Sequence, residues 1–401
     1  MKVQGIEKLF PFDGWVVESI GFAPDLVQVK LRRHRRKRLA CKCGASMTSY
    51  RETTQSARDL PLATAKDVLI FYPAILARCP KCKQTQTFLP PGIQPYAKAT
   101  DRFMRYISLL ARFLPIAQVT KVTGIPAATA RRWDKHILTQ DLPPVDLDGI
   151  TILLIDEKHL GPTLGFVTIV MDDLGNPLYM AEGKKKESLQ GFFDMLDDEQ
   201  KAGILAVCID RAGQYKAIVE KNCPQANIVY DKFHLKKNLN DAVDETRRQE
   251  WRTAEKTEKC AIKGQRYNLL RAPVNNTPEQ AKSLKRLLGL NENLHTAYVL
   301  REAFGKTWDY LYRRPAEKYL ERWVGWAIES AVKPIVTFAR SVWKSKENVL
   351  NFIDWRITTS RLECLNGMIE RIQRRCCGVT DLKYLFLKIR QAALYAFHLQ
   401  T

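Results

Sequence analysis

From residue 150 onward the chain alternates short apolar runs with amphipathic helical stretches. Among these runs, Ile150–Ile155 leads directly into Asp156 and Ile204–Ile209 into Asp210. Runs of this length bounded by turn residues predict strands, and their alternation with helical periodicity predicts an α/β layer structure. A carboxylate placed straight after an apolar strand costs folding free energy unless something uses it. Two neighbouring strands ending this way can bring both carboxylates within bridging distance of a divalent cation. A third carboxylate on a later helix would complete a site for two such ions roughly 3.5–4 Å apart. All-oxygen donors select Mg²⁺ or Mn²⁺ over Zn²⁺.

The neighbouring segments fill in this layer. Phe166–Met171 and Pro177–Ala181 read as strands joined by the turn Asp172-Asp173-Leu174-Gly175-Asn176, so the first three strands form an antiparallel meander. Lys186–Leu196 and Gln214–Lys221 read as helices, Ile228–Tyr230 as a fifth strand ending in Asp231, and His234–Arg248 as a long helix. Asp231 and His234 either support the acidic site from behind, or Asp231 only caps the helix that follows. Residues 249–350 read as helical and rich in Trp, with Thr277-Pro278-Glu279-Gln280 as a capped helix start. In the last segment, Leu362–Ile372, Leu362, Leu365, Ile369 and Ile372 form a buried stripe at helical spacing. Glu363, Asn366 and Glu370 lie on the adjacent stripe. Glu363 and Glu370 are two turns apart, and spacing leaves both open as the third acid.

Charge narrows the partner. Lys and Arg number 64 against 43 Asp and Glu, a formal net charge of +21. Such an excess points to a polyanion, nucleic acid before an anionic membrane or ribosomal surface. No apolar stretch approaches the ~20 residues of a membrane span. The segment from Met1 to Trp15 lacks the apolar core of a signal peptide. The expectation is a cytoplasmic, nucleoid-associated protein acting on double-stranded DNA.

Ahead of the α/β segment, residues 1–88 are rich in strand formers at Trp15–Phe22, Leu26–Leu31 and Val68–Leu76. Between the last two lie a basic run, Arg32–Arg38, and a polar loop. Arg35 and Arg36 of the run are candidates for phosphate contact. Cys41-Lys42-Cys43-Gly44 and Cys79-Pro80-Lys81-Cys82 are two short chelating pairs, each leading into a turn. Four thiolates from them can converge on one structural Zn²⁺, replacing part of a core too small to stand alone. The remaining cysteines (Cys208, Cys223, Cys260, Cys364, Cys376 and Cys377) read as buried or neutral thiols. Leu89 to Pro95 reads as an extended linker. Thr100 caps a helix from Asp101 whose apolar face holds Phe103, Met104, Ile107, Leu110 and Leu114. Ile116–Val122, a turn at Gly124 and Ala127–Ile137 then fit a helix-turn-helix. Its small core would be Val119, Val122, Ile125 and Ala130. Thr129, Arg131, Arg132, Trp133 and Lys135 would face solvent, with Arg131, Arg132 and Lys135 towards DNA.

These motifs, taken in order, resemble the ISL3 family of insertion-sequence transposases over nearly the whole chain. The likeness rests on the paired cysteines followed by Arg58-Asp59-Leu60-Pro61, the helix-turn-helix, Ile155-Asp156-Glu157 and Cys208-Ile209-Asp210. It continues with Asp231-Lys232-Phe233-His234 followed by Lys237 and Asn240, and with Leu290-Asn291-Glu292-Asn293-Leu294. It ends on Thr359-Ser360-Arg361-Leu362-Glu363-Cys364-Leu365-Asn366, then Ile369, Arg374, Arg375 and Gly378. The resemblance implies a ribonuclease-H-like core split by an α-helical insertion, with Asp156, Asp210 and Glu363 as the catalytic DDE acids. The expected domains are a β-rich zinc-binding module (1–98), a helix-turn-helix (99–141), the core's first part (149–248), the insertion (249–350) and the core's last part with the catalytic Glu (351–401). The expected activity is Mg²⁺-dependent cleavage at terminal inverted repeats followed by strand transfer, by a homodimer that holds two ends. Lys184, Lys185, Lys186, Arg374 and Arg375 would line the DNA path. The rival readings are a transposase-derived DNA-binding regulator without catalysis and a structure-specific nuclease such as a junction resolvase.

Overall fold

The structure, a computed structural model, describes residues 6–62, 65–94, 97–210, 213–376 and 378–397. It is a mixed α/β architecture with two five-stranded sheets. The chain divides into two compact units, Met1–Pro143 with Arg371–Val379, and Pro144–Glu370 with Thr380–Thr401.

The first unit opens with β1 (Trp15–Ala23), β2 (Leu26–Arg33), β3 (Thr48–Asp59), β4 (Asp67–Arg78) and β5 (Thr85–Phe88), in the order β1-β2-β4-β3 with β5 also on β4. β2 alternates cleanly, with Val27, Val29 and Leu31 buried and their neighbours outward, which marks a strand with one wet face. β3 overturns the expected polar loop. Thr48 to Ser56 are all exposed, yet their backbone pairs with β4 from Thr48↔Arg78 to Asp59↔Val68. The strand is held by hydrogen bonds and not by burial, so its hydropathy carries no signal. The segment after β5 is not a free linker either. Ile93 is buried in the core of this sheet beside Val29 and Ile70, and it bridges to Thr100; Pro95 lies outside the described residues.

Three helices complete the unit: α1 (Asp101–Phe113), α2 (Ile116–Thr123) and α3 (Ala127–Asp141). Thr100 caps α1 by accepting from the Phe103 N–H. Gly124 ends α2 in the left-handed region at φ 70°, where a Cβ would be strained. Two expectations fail here. Val122 is 62% exposed, and Trp133 is buried with Ala130 and Ile137 on one stripe of α3. The Trp133 ring packs edge-on to Phe103 at 5.9 Å. An indole carries too much apolar area to leave outside while a three-helix core of this size needs filling.

The second unit is built on β6 (Ile152–His159), β7 (Phe166–Asp172), β8 (Pro177–Glu182), β9 (Ala206–Ile209) and β10 (Asn227–Tyr230), in the order β10-β9-β6-β7-β8. β6, β7 and β8 are the antiparallel meander; β9 runs parallel to β6, and β10 parallel to β9. β9 is buried at all four residues, as a parallel strand covered on both faces requires. Helices α4 (Lys186–Phe193), α5 (Asp198–Gly203), α6 (Gly213–Asn222) and α7 (Lys232–Thr253) follow the strands. The helical stretch comprises α8 (Lys256–Ile262), α9 (Arg266–Leu270), α10 (Pro278–Leu290), α11 (Glu292–Gly305), α12 (Arg313–Glu329), α13 (Lys333–Lys344) and α14 (Lys346–Trp355). α10 begins with the expected reciprocal Thr277–Gln280 cap. Phe304 gathers Trp308, Trp323 and Phe338 around it at 4.6–5.3 Å. Asn351 of α14 donates to the Ile228 carbonyl at 2.9 Å, tying this stretch to β10. α15 (Ser360–Cys376) and α16 (Leu382–Phe397) close the chain. Among the described residues no helix is long and apolar enough to cross a membrane.

Candidate functional site

Asp156 does not terminate its strand as expected. β6 runs on to His159, and Asp156 pairs with Ile169 of β7. Pairing with β9 stops earlier, at Leu154↔Cys208, because β9 itself ends at Ile209. Asp156 therefore stands just past the place where the parallel neighbour runs out, and Asp210 is the residue that follows that neighbour. Asp156 Oδ1 accepts the Glu157 N–H at 2.8 Å, and its Oδ2 accepts from Asn366 Nδ2 of α15 at 3.0 Å. Burial pushes the Asp156 carboxyl above its ordinary value; these two donors oppose that, and the Asp210 charge adds to it.

His234, on the first turn of α7, faces two acids. Its Nδ1 lies 3.2 Å from Asp231 Oδ2 and 3.8 Å from Asp210 Oδ1. The Asp231 side chain has no exposed surface; it caps α7 through the Phe233 N–H and accepts the Thr359 hydroxyl at 2.7 Å. Burial alone would raise Asp231, but His234, Thr359 and the Phe233 N–H outweigh it and hold the carboxyl below its usual range. The same contact with Asp231, helped by the Asp210 charge against the effect of burial, raises His234. Thr359 in turn accepts the Glu363 N–H through its carbonyl at 2.8 Å, so the first turn of α15 is anchored to Asp231.

Glu363 is exposed and sits one turn before Asn366, hence on the same side of α15. The carboxylates of Asp156, Asp210 and Glu363 do not all lie within 4.8 Å of one another. Among the described residues the four cysteines are the one metal-capable group gathered that tightly. Glu370 pairs with Lys158 of β6 at 2.6 Å. Lys158 and the bond from Asn366 have no signature in the sequence pattern. The stripe holding Glu363, Asn366 and Glu370 is legible there, but the strand that each residue meets is not.

Cys41, Cys43, Cys79 and Cys82 converge, with Cys41 and Cys82 sulfurs 3.5 Å apart and Cys43 and Cys79 sulfurs 3.6 Å apart. A tetrahedral Zn–S₄ unit needs sulfurs about 3.8 Å apart, so the set fits zinc. Each pair closes on a tight turn with a left-handed residue, Gly44 at φ 83° and Lys83 at φ 62°. The Cys82 N–H holds the Cys79 thiol down to about 6. At Cys41 the Cys43 N–H favours thiolate, but the Cys82 thiol and burial win and push it up to about 12. Cys208, Cys223 and Cys376 are buried, Cys260 and Cys364 are exposed, and Cys377 lies outside the described residues.

The basic candidates divide. Arg35, Arg36, Arg132, Arg374 and Lys184 to Lys186 are exposed. Arg131 donates to the Cys376 carbonyl at 2.9 Å and Arg375 to the Arg112 carbonyl, while Lys135 is half-buried.

Asp156 and Asp210 thus stand beside two parallel strand ends in the second unit, and the first unit carries a four-cysteine cluster. A family model described as a transposase, of the DDE ISL3 group, matches residues 153–389. The chain belongs to the ISL3 family of transposases. It is 29% identical over 397 residues to the transposase for insertion sequence element IS1001 of Bordetella parapertussis, covering 96% of this chain and 97% of that one. It is also 25% identical over 248 residues to the transposase for insertion sequence element IS1557 of Mycobacterium tuberculosis, covering 56% of each.

Proposed function

We propose that this protein is the transposase of an insertion sequence, binding the element's terminal inverted repeats and cutting and joining DNA at one site built from Asp156, Asp210 and Glu363. The observation that carries the reading is the half-buried Asp156, beside Asp210 and tied to the helix of Glu363 through Asn366. The sheet supports a ribonuclease-H-like core, since three antiparallel strands with two parallel ones added at the first is that fold's plan. The helical stretch from Lys256 to Trp355 is then the insertion that splits it.

The residues fit Mg²⁺ or Mn²⁺. The donors are hard oxygens, the Asp156 and Asp210 charges repel, and the Asn366 oxygen is buried without a partner. When bound, such ions supply Lewis-acid activation of an attacking hydroxyl and neutralise charge at the phosphate. The chain's part is positioning. Glu157 and Asn366 orient Asp156, Asp231 and His234 back Asp210, and Thr359 anchors the turn that carries Glu363. Zinc on the four cysteines stiffens the N-terminal sheet. Arg132, Arg35, Arg36 and Arg374 meet phosphates or bases, with α2 and α3 acting as a helix-turn-helix. A homodimer holds the two ends, and the protein works on DNA in the bacterial cytoplasm.

A labelled duplex carrying the element's own end, incubated with Mg²⁺, is cleaved by the wild type. Asp156→Ala should bind that duplex and leave it intact. Equal cleavage by both proteins would remove the assignment, and binding without cleavage by the wild type would favour a DNA-binding regulator.

A further inference from the structure

We propose that Asn366 is itself a ligand of the cation at Asp156, giving its side-chain oxygen. The inference rests on the reading of Asp156 as a metal ligand. A carboxylate only accepts hydrogen bonds, so the amide end facing Asp156 is the nitrogen, Nδ2, at 3.0 Å. That contact fixes the other end as oxygen, and Asn366 Oδ1 is buried with no hydrogen-bond partner. A buried acceptor left alone carries an uncompensated desolvation cost, and native structures seldom keep one without a water, an ion or a function.

The surroundings select an ion. Both Asp156 oxygens already hold a donor, one from Glu157 and one from Asn366, so the carboxylate is aimed before any metal arrives. Divalent cations of the hard class accept asparagine oxygens alongside carboxylates. A neutral oxygen adds coordination without adding a third negative charge to Asp156 and Asp210. α15 thus offers two oxygens one turn apart, with Asn366 in place against Asp156 and Glu363 exposed one turn earlier.

Mn²⁺ binding to the full-length protein, followed by the electron-spin resonance of free Mn²⁺, tests this without any turnover. Asn366→Ala should weaken binding by at least about tenfold, the scale of losing an ordered partner at a metal site. Asn366→Asp keeps an oxygen at the same place and should bind at least as tightly as the wild type. Wild-type affinity in Asn366→Ala overturns the inference. So does an Asp variant that binds worse than the Ala variant, because Asn366 would then act only by donating to Asp156. Asp156→Ala is the control: if it keeps Mn²⁺ affinity, the reading beneath fails; if it loses affinity while Asn366→Ala does not, only the present inference fails.

Discussion

The Thr359–Asp231 bond joins two buried groups 128 residues apart and anchors the helix that carries Glu363. Thr359→Val is nearly isosteric and removes only the hydroxyl. Thr359 is 2% exposed and Asp231 0%, so no solvent replaces the lost donor. A hydrogen bond to a charged acceptor contributes about 1.5–3 kcal/mol, and the substitution should destabilise the second unit by that amount. Six of the eight tryptophans lie from Trp251 to Trp355, so urea unfolding followed by fluorescence reports mainly on that unit. The pH dependence has a definite sign. Asp231 is held below its ordinary value, so its contribution is complete above the unfolded-state pKa of about 3.9 and is lost as the pH falls through the folded one. The valine penalty should therefore be the same at pH 5 and pH 6 and shrink on further acidification. A penalty under about 0.5 kcal/mol, or one that grows in acid, would refute the reasoning.

Further outcomes follow from the other contacts. The purified protein should carry one zinc per chain by elemental analysis, and Cys43→Ser or Cys82→Ser should lose it and lower the melting temperature of the N-terminal sheet. Trp133→Ala should cost about 3–5 kcal/mol by denaturation because the ring is core, whereas Arg132→Ala should leave stability unchanged and weaken DNA binding in a salt-dependent titration. Glu370→Ala removes an ion pair whose carboxylate is 52% exposed, so it should change stability by under about 1 kcal/mol and leave cleavage intact. Glu363→Gln should abolish cleavage while preserving DNA binding; the reverse pattern would exchange the two glutamates.

Local physics made much of this protein readable as a string. Caps such as Thr100 and the Thr277–Gln280 pair, the apolar stripe Leu362–Leu365–Ile369–Ile372, the buried run before Asp210 and the close cysteine pairs all depend on neighbours within a few residues. Tertiary structure decided the rest, because each remaining feature depends on what lies across the fold. β3 is a strand only because β4 offers it hydrogen-bonding partners, and Trp133 is core only because Phe103 lies opposite. Asp156 lies within a strand and not at its end because β7 continues where β9 stops. Asn366 reaches Asp156 across 210 residues, a distance over which periodicity is silent and only the packing of α15 against β6 can speak.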